Sequence, residues 1–495
     1  MPPLLILIAH RFFESSILWI FFADVNTCSI VVYLNLFVKS VTKHKKIESY
    51  LFFWGYMFIF AFVKSVTKHK KIESMEIQRN IHLGRLIARM GNGMIKVVTG
   101  IRRCGKSYLL FTLFRDYLKS QGVDEQHIVM VDLEDRRNAN LRDPDALLAY
   151  IDAHLTDAQQ YYILLDEVQL VPEFEDVLNS YLKVPNTDVY VTGSNAKFLS
   201  KDVITEFRGR GDEVHVTPLS FQEFLSVKEG NREDLLNEYL TYGGLPQVVV
   251  MKEVERKMEY LKNLFSHTYI RDIKERYAIQ KDDDLEELIS LIASNIGSLT
   301  NPTKLENSFK SVKKSGLSKD TIKTYLDLMQ DAFVIERSIR YDIKGKKYID
   351  TPSKYYFTDL GLRNARLNFR QTEFTHLLEN AIYNELRLRG FSVDVGQVPI
   401  VVNEADGTRQ RAVLEVDFVC NQGYKRYYIQ SAYALPTEEK MRQEFNSLLR
   451  INDGFQKYVI VGTPTPTYQN GDGIIIMNIY DFLTNPQALL FDKLD

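Results

Sequence analysis

The chain has 495 residues, of which 45% are hydrophobic and 25% are charged, and its formal net charge is −2. This length favours about three domains, and the composition is that of a globular protein rather than a disordered or fibrous one. The near-neutral charge excludes a nucleic-acid contact spread over the whole chain, so such a contact needs a local basic patch. The cysteines, Cys28, Cys104 and Cys420, lie far apart, which argues against a disulfide framework or a zinc site and favours a cytoplasmic location.

The first segment, residues 1–74, contains an exact duplication. FVKSVTKHKKIES occupies 37–49 and returns unchanged at 62–74. Repeats that stack in a solenoid vary in sequence and need about three copies, so this pair is more typical of a recent DNA duplication. We therefore interpret the segment as mistranslated upstream sequence before a start at Met75, and then expect no stable membrane association. The alternative is a weak membrane anchor, but one apolar stretch is shorter than the about 20 residues of a span and the other contains Asp24.

A phosphate-binding loop follows the first predicted strand of the next region. The apolar run MIKVVT at 94–99 predicts a buried parallel strand, and GIRRCGKS at 100–107 follows it directly. This is the complete G-x-x-x-x-G-K-[ST] pattern between a strand and a helix. The glycines let backbone N–H groups point at phosphates, while Lys106 is placed to reach the β- and γ-phosphates of ATP and Ser107 to hold Mg²⁺. The predicted nucleotide-binding residues are Gly100, Arg103, Cys104, Gly105, Lys106 and Ser107.

An acidic strand end is the second element of the predicted nucleotide site. A strand at 128–133 continues the α/β alternation, and YYILLDE at 161–167 then predicts a buried strand that ends in two acids. Asp166 is placed to bind Mg²⁺ through its water shell, and Glu167 to polarise the attacking water. Downstream of a phosphate-binding loop, this order predicts hydrolysis of ATP.

Three further residues are candidates for the same site. Asn195 ends the strand-like run DVYVTGSN, where it either orients the attacking water or belongs to a simple turn. Arg208 and Arg210 in FRGRGDE are candidate arginine fingers on the γ-phosphate, supplied in cis or by a neighbouring copy. The alternative for both arginines is a solvated basic loop.

From Met75 onward the chain resembles a family of prokaryotic AAA-type P-loop ATPases that carry an uncharacterised C-terminal domain. The motifs that carry the resemblance are GIRRCGKS, YYILLDEVQ, TGSN, RGR with VTPLSFQEF, YGGLP, KYYFTDLGL and EVDFV. The resemblance implies an ATPase domain at 75–225 with a five-stranded parallel core. It also implies that Glu167 is the base, beside Asp166, and that Asn195 is the sensor.

Two smaller modules are predicted after the ATPase domain. Helical spacing at 226–300 predicts a lid. Residues 301–362 predict a winged helix, with a helix capped by Ser318 and a hairpin whose tip is Lys-Gly-Lys-Lys at 344–347. Residues 301–360 contain twelve Lys plus Arg and eight Asp plus Glu, which suits a contact with DNA phosphates. A lid or a contact with a protein partner is the alternative use of such a module.

The C-terminal region, 363–495, resembles the restriction-endonuclease-like fold. In that fold a helix Glu, a strand Asp and an acid-x-Lys on the next strand bind Mg²⁺ and activate water. Glu379 and Asp417 match the first two positions, whereas Gln430 replaces the acid and Ala432 the lysine. We therefore expect a degenerate domain that does not cleave DNA.

The whole pattern predicts an α/β protein with a P-loop NTPase core, a helical lid, a winged helix and a nuclease-like domain. The function it favours is an ATP-hydrolysing AAA-type switch that uses Mg²⁺ and acts on nucleic acid or a protein partner. Two alternatives stay open. One is an ATP-gated, Mg²⁺-dependent nuclease, and the other is an ATP-binding scaffold without turnover, against which the intact Glu167 argues.

Overall fold

A computed structural model gives the structure of this chain, and its described residues all belong to one compact unit, Ile77–Asp495. The segment 1–74 and the candidate residues Asn195 and Arg208 lie outside the described residues. Within that described part, no helix is both long and apolar enough to cross a membrane. The described ranges are 77–193, 209–271, 273–274, 282–313, 317–370, 373–403 and 409–489.

A five-stranded parallel sheet forms the first core, in the order β2-β3-β4-β1-β5. Its strands are β1 Ile95–Thr99, β2 Ile128–Asp132, β3 Tyr161–Asp166, β4 Thr187–Thr192 and β5 Gly211–His215. Every residue of β1 is buried, as expected for a strand whose two faces are both covered. The predicted parallel P-loop core is confirmed.

Helices cover both faces of this sheet. They are α1 Asn80–Ile87, α2 Lys106–Ser120 (Leu109–Phe114 of it π-helical), α3 Pro144–His154 and α4 Phe174–Tyr181. Alternate strand residues point to opposite faces, so Val98 packs in one hydrophobic cluster with Leu110 of α2. Val97 packs in another cluster with Ile151 of α3 and Leu178 of α4. The carboxyl ends of the parallel strands therefore lie at one edge of a sandwiched sheet.

A helical region follows the first sheet. Its helices are α5 Phe221–Leu225, α6 Arg232–Tyr242, α7 Pro246–Val250, α8 Val254–Leu264 continuing as a π-helix over Phe265–Ile270, α9 Asp282–Ser294, α10 Pro302–Lys313 and α11 Lys319–Asp331. The Ser318 hydroxyl caps α11 by accepting a hydrogen bond from the Thr321 N–H at 3.2 Å. One face of α11, including Ile322 and Met329, is buried in the same hydrophobic cluster as α2.

The second sheet is mixed and has eight strands, in the order β12-β13-β11-β10-β9-β8-β6-β7. The strands are β6 Ile335–Asp342, β7 Lys347–Phe357, β8 Ser392–Asn403, β9 Arg409–Gln422, β10 Lys425–Ala432, β11 Gln456–Val461, β12 Tyr468–Gln469 and β13 Ile474–Asn478. The accompanying helices are α12 Leu360–Arg366, α13 Phe374–Leu388, α14 Glu438–Leu449 and α15 Ile479–Thr484.

The β6–β7 hairpin, which the sequence places in a winged helix, is part of this second sheet. Strand β6 pairs in parallel with β8, with Arg340 opposite Val395. The expected boundary between 301–362 and 363–495 therefore falls between two segments that share one sheet. The pairing joins strands that are far apart in the chain, so no local pattern indicates it.

Two glycine-containing motifs, YGGLP at 242–246 and KYYFTDLGL at 354–362, contact each other where the helical region meets α12. We call them the interlocked glycine motifs. The Asp359 carboxylate accepts hydrogen bonds from the backbone N–H groups of Gly244 at 2.8 Å and Leu362 at 3.0 Å. Burial raises the pKa of Asp359 to about 6. A Cβ on Gly361 would lie 2.0 Å from the Tyr242 carbonyl oxygen, so only glycine permits this backbone approach.

Candidate nucleotide site

The loop between β1 and α2 has a backbone that only glycine allows at its two ends. Gly100 has a φ of +136°, and a Cβ there would lie 2.1 Å from the Val216 carbonyl oxygen. Gly105 has a φ of +99° and directly precedes the first turn of α2. Both values lie in the region that disfavours side chains, so these glycines set the curl of the loop. The curl and the helix N-terminus together form a cradle of the kind that binds phosphate.

Lys106 lies over this cradle, and its side chain is buried. Its Nζ donates hydrogen bonds to the carbonyl oxygens of Gly100 at 2.9 Å and Ile101 at 3.2 Å. Arg103 is exposed and has a φ of +67°. The Cys104 side chain is buried and its Sγ contacts the Val216 carbonyl at 3.3 Å, so Cys104 can approach a ligand only through its backbone. These positions fit the prediction that the loop and Lys106 bind the phosphates of ATP.

Two residues outside the sequence motifs, Arg79 and Tyr269, donate hydrogen bonds to backbone carbonyl oxygens of the loop. The buried Arg79 donates to the carbonyl oxygens of Cys104 at 3.0 Å and Thr217 at 2.5 Å. It also forms an ion pair with Glu223 at 3.2 Å. The Tyr269 hydroxyl donates to the Arg102 carbonyl at 2.7 Å. Neither residue belongs to a motif, and each reaches the loop only through folding.

Asp166 ends β3 beside the first turn of α2. Burial raises its pKa, while hydrogen bonds from the Thr192 and Ser107 hydroxyls oppose the rise. Hydroxyl and carboxylate oxygens are the ligands that Mg²⁺ prefers. The contact between Ser107 and Asp166 therefore fits the predicted metal position, with Lys106 of the same turn on the phosphate side.

Glu167 follows Asp166 in a left-handed conformation, with a φ of +53°. Its backbone N–H donates to the Thr192 hydroxyl at 3.0 Å, and its carboxylate accepts a hydrogen bond from the Gln169 amide. A non-glycine residue at positive φ is unusual and concentrates at functional sites. The chain therefore changes direction at Glu167, directly after β3 ends. This is the carboxyl edge of the sheet, where the phosphate-binding loop also lies.

Thr192, the last residue of β4, connects the two acids. Its hydroxyl donates to the Asp166 carboxylate and accepts from the Glu167 backbone N–H, and the residue is fully buried. Sequence reasoning missed Thr192, although its place at the carboxyl end of a strand next to β3 was the available signal.

Arg210 does not lie near the phosphate-binding loop. It immediately precedes β5, and its carbonyl oxygen accepts from the N–H of Ile95, the first residue of β1. It is therefore at the amino edge of the parallel sheet, whereas Lys106 and Asp166 are at the carboxyl edge. The cis role considered for Arg210 does not fit this placement, because a strand length separates the two edges. A role supplied by a neighbouring copy stays a prediction.

The C-terminal sheet contains a group of carboxylates around a buried lysine. Glu379 of α13 and Asp417 of β9 lie together, as their motif positions suggest, and Glu415 of β9 joins them around the ammonium of Lys354 on β7. Sequence reasoning found no lysine at the expected position, Ala432, and did not consider β7. We call these four residues the carboxylate–lysine cluster. Among the described residues, no group of three or more His, Cys, Asp and Glu side chains has the arrangement of a metal site.

A basic hairpin tip lies at the far end of the same sheet. Lys344, Lys346 and Lys347 of the β6–β7 turn are all exposed, and Tyr348 beside them is 60% exposed. The Lys344 ammonium donates to the Pro399 carbonyl at 2.9 Å and so joins this tip to β8. The tip presents positive charge next to an exposed aromatic ring.

Two segments of the chain match described families, and two relatives match most of it. Residues 92–225 match a family described as an AAA domain, and residues 233–373 match a domain of unknown function (DUF8612). An uncharacterised protein of Haemophilus influenzae is 33% identical over 413 residues, which is 82% of this chain and 98% of the relative. An uncharacterised protein of Methanocaldococcus jannaschii is 29% identical over 361 residues, 70% of this chain and 77% of the relative. The structure of the Aeropyrum pernix ORC1 protein in complex with DNA covers 59% of this chain and 92% of its own, with 11% identity and a TM-score of 0.28.

Proposed function

This chain belongs to the same family as its Haemophilus influenzae relative and contains an AAA domain, and from its nucleotide site we propose that it binds and hydrolyses ATP with Mg²⁺. The observation that carries the proposal is the convergence of Lys106, Asp166 and Glu167 at one edge of the parallel sheet. Each has the chemistry that one part of the reaction needs, namely a fixed cation, a metal ligand and a base.

The chain's own residues divide the work in this proposal. Lys106 exchanges its hydrogen bonds to the loop carbonyls for phosphate oxygens, which neutralises charge that develops on the γ-phosphoryl group. Ser107 and Asp166 would hold Mg²⁺, which would supply further positive charge to the phosphates. Glu167 orients the attacking water and accepts its proton. Release of its carboxylate from the Gln169 amide is then a condition for turnover.

The interlocked glycine motifs suggest how nucleotide binding reaches the rest of the molecule. Pro246, at the start of α7, lies beside the loop, since a Cβ on Gly105 would be 3.8 Å from its Cγ. The backbone just before it is tied to α12 through Asp359. Movement of the loop on binding phosphate is thereby passed toward the C-terminal sheet. We propose that the ATPase acts as a switch through this contact.

We further propose that the switch acts on nucleic acid through the basic hairpin tip. Exposed lysines next to an aromatic ring suit phosphate contact and stacking. A protein partner on the same tip is the competing outcome. A nuclease is not proposed, because Gln430 stands where metal-dependent cleavage needs an acid. A lysine, Lys354, does lie among the remaining acids, but its ammonium is buried and paired with them.

The test of ATP binding and hydrolysis uses two substitutions in the full chain, each with a matched control. Lys106→Ala removes the fixed cation and should weaken ATP binding, whereas Lys119→Ala, an exposed lysine later in α2, should not. Glu167→Gln should keep binding and lose turnover, because an amide cannot accept the proton. Glu173→Gln makes the same change at an exposed residue with a similar φ of +52° and should leave phosphate release unchanged.

Phosphate release is measured with and without DNA, and ATP binding is measured separately. Stimulation of turnover by DNA would support nucleic acid as the partner. Wild-type turnover in Glu167→Gln would refute the assignment of the base. ATP binding without any turnover in the wild type would instead favour the non-hydrolysing scaffold.

A further inference from the structure

The carboxylate–lysine cluster joins two strands of the second sheet, β7 and β9, to helix α13. The Lys354 Nζ lies 2.9 Å from Glu379, 2.7 Å from Glu415 and 3.3 Å from Asp417. Its side chain is only 3% exposed, and those of Glu379 and Asp417 are 9% and 10% exposed. Lysine is rarely buried to this extent unless it is paired. Here one ammonium is surrounded by acids that come from α13 and β9.

The hydrogen-bonding capacity of this ammonium matches its surroundings. An ammonium has three donors and no acceptor, and this one donates hydrogen bonds to Glu379 and Asp417 and forms an ion pair with Glu415. The two most buried acids have second partners. The Tyr356 hydroxyl donates to Glu379 at 2.7 Å, and the Ser431 backbone N–H donates to Asp417 at 2.9 Å. The third acid, Glu415, is 38% exposed and therefore still meets solvent.

The charges of the cluster are interdependent. Burial by itself lowers the pKa of Lys354, but the three carboxylates raise it by more than burial lowers it. The net pKa shift is upward, so the amine stays protonated. Burial raises the pKa of Glu379 to about 7, against the opposing pull of Lys354. Without the ammonium, Glu379 and Asp417 would face each other with no cation, which is costly because both are buried. Protons or a metal ion would then have to replace it.

A lysine that takes part in phosphodiester cleavage has a different environment. It must direct its charge at the nucleophile and the scissile phosphate. Lys354 is buried and directs its ammonium at three carboxylates of its own chain. The backbone of Gly297 also lies close to the cluster, since a Cβ on this residue would be 2.9 Å from a Glu379 carboxylate oxygen.

We propose that Lys354 is the resident cation of this cluster, in the place that a divalent metal ion takes in a carboxylate-based nuclease site. The ammonium holds β7, α13 and β9 together without metal. The inference concerns the C-terminal sheet alone and does not depend on ATP binding or hydrolysis. It follows that the wild type has no use for Mn²⁺ or Mg²⁺ at the cluster. It also follows that removal of the lysine converts the cluster into a site for a divalent cation.

The central experiment replaces Lys354 by methionine, which is unbranched and one atom shorter than lysine and carries no charge. The full chain is treated with chelator, kept free of nucleotide and titrated with Mn²⁺ while thermal unfolding and free Mn²⁺ are followed. Lys354→Met should unfold several degrees below the wild type without metal and recover part of the difference with Mn²⁺. The wild-type midpoint should not respond.

Two controls assign the effect to the cluster. Lys354→Met/Asp417→Asn should lose the Mn²⁺ response, because one of the acids that would hold the ion is gone. Lys257→Met removes a lysine of similar burial, which is paired with Glu238, and Mn²⁺ should not restore its stability. A response of Lys257→Met equal to that of Lys354→Met would mean that Mn²⁺ acts without regard to the cluster, and the proposal would fail.

Two measurements decide the matter if Lys354→Met does not fold during expression. Refolding from denaturant with and without Mn²⁺ should then yield soluble protein only with the metal, and failure in both arms overturns the proposal. The wild type is also compared with Asp417→Asn for Mn²⁺ binding and for nicking of plasmid DNA. Equal binding and no nicking are expected. Metal binding or DNA cleavage by the wild type that Asp417→Asn abolishes would show that the cluster is a working metal site.

Discussion

Thr192 offers a sharp test of the nucleotide site because a single hydroxyl serves both acids. Thr192→Val replaces the hydroxyl by a methyl group and preserves the branched shape of a buried strand residue. The change removes the hydrogen bond to the Asp166 carboxylate and leaves the Glu167 backbone N–H without its acceptor at 3.0 Å. Packing of β4 against its neighbours should otherwise be retained.

The expected magnitude follows from these two bonds. A hydrogen bond to a charged group contributes about 1.5–3 kcal/mol, and a buried N–H without an acceptor costs about 1–3 kcal/mol. The added methyl group returns part of this through apolar burial, so we expect the free energy of unfolding to fall by about 2–4 kcal/mol. Turnover should fall by roughly 10-fold to 100-fold, because a displaced carboxylate stabilises the transition state less well by about 1–3 kcal/mol.

The pH profile separates this mechanism from a general loss of stability. Burial already raises the pKa of Asp166, and the Thr192 hydroxyl counteracts that rise, so Thr192→Val should raise the pKa further. In the proposed mechanism the ionised carboxylate is the metal ligand, so activity should be present above this pKa and lost as the pH falls through it. The acid limb of Mg²⁺-dependent ATP binding and turnover should therefore move to higher pH in the variant.

The assay compares Thr192→Val with Thr187→Val, at the other end of β4. The Thr187 hydroxyl donates to the carbonyls of Tyr181 at 2.7 Å and Val184 at 3.0 Å, far from the acids. This control should lose stability but keep the wild-type pH profile. The reasoning is refuted if Thr192→Val retains wild-type turnover, Mg²⁺ dependence and acid limb.

The remaining predictions concern the interlocked glycines and the basic hairpin tip. Gly361→Ala should lower the free energy of unfolding by about 1–3 kcal/mol or more in urea titration, because its Cβ would lie 2.0 Å from a backbone carbonyl. Changing Lys344, Lys346 and Lys347 to Ala should weaken DNA binding equally across sequences in a fluorescence-anisotropy titration. It should also reduce the salt dependence by up to about three phosphate contacts.

Matched controls accompany both predictions. Gly84→Ala lies within α1 and its Cβ meets no atom within 4 Å, so it should raise stability by about 0.5–1 kcal/mol. An equal loss in both glycine variants would contradict the steric argument. Replacing three exposed lysines elsewhere, Lys119, Lys183 and Lys252, tests whether charge alone explains the hairpin effect. The same salt dependence in both triple variants would assign DNA binding to net charge rather than to the tip.

The core of the candidate nucleotide site was predictable because its residues stand in two short segments of the sequence, 100–107 and 166–167. The phosphate-binding loop needs glycine, lysine and serine at fixed spacing between a strand and a helix, and the structure places Gly100, Lys106 and Ser107 accordingly. Asp166 and Glu167 were predictable for the same reason, since a buried strand that ends in two acids has a distinct pattern. The parallel arrangement followed from continuous apolar runs that alternate with helical segments.

Tertiary structure alone decided the contacts between residues that are distant in the chain. Thr192 meets Asp166 only because β4 lies beside β3, and the β6–β7 hairpin joins the second sheet only through its pairing with β8. Lys354 precedes Asp417 by 63 residues, yet the sheet brings its ammonium to within 3.3 Å of that carboxylate. Sequence spacing specifies which groups a strand or turn presents, but the packing of whole elements determines which charges meet. The motif position Ala432 therefore has no lysine, whereas the fold brings the ammonium of Lys354 from β7 to the same carboxylates as their partner.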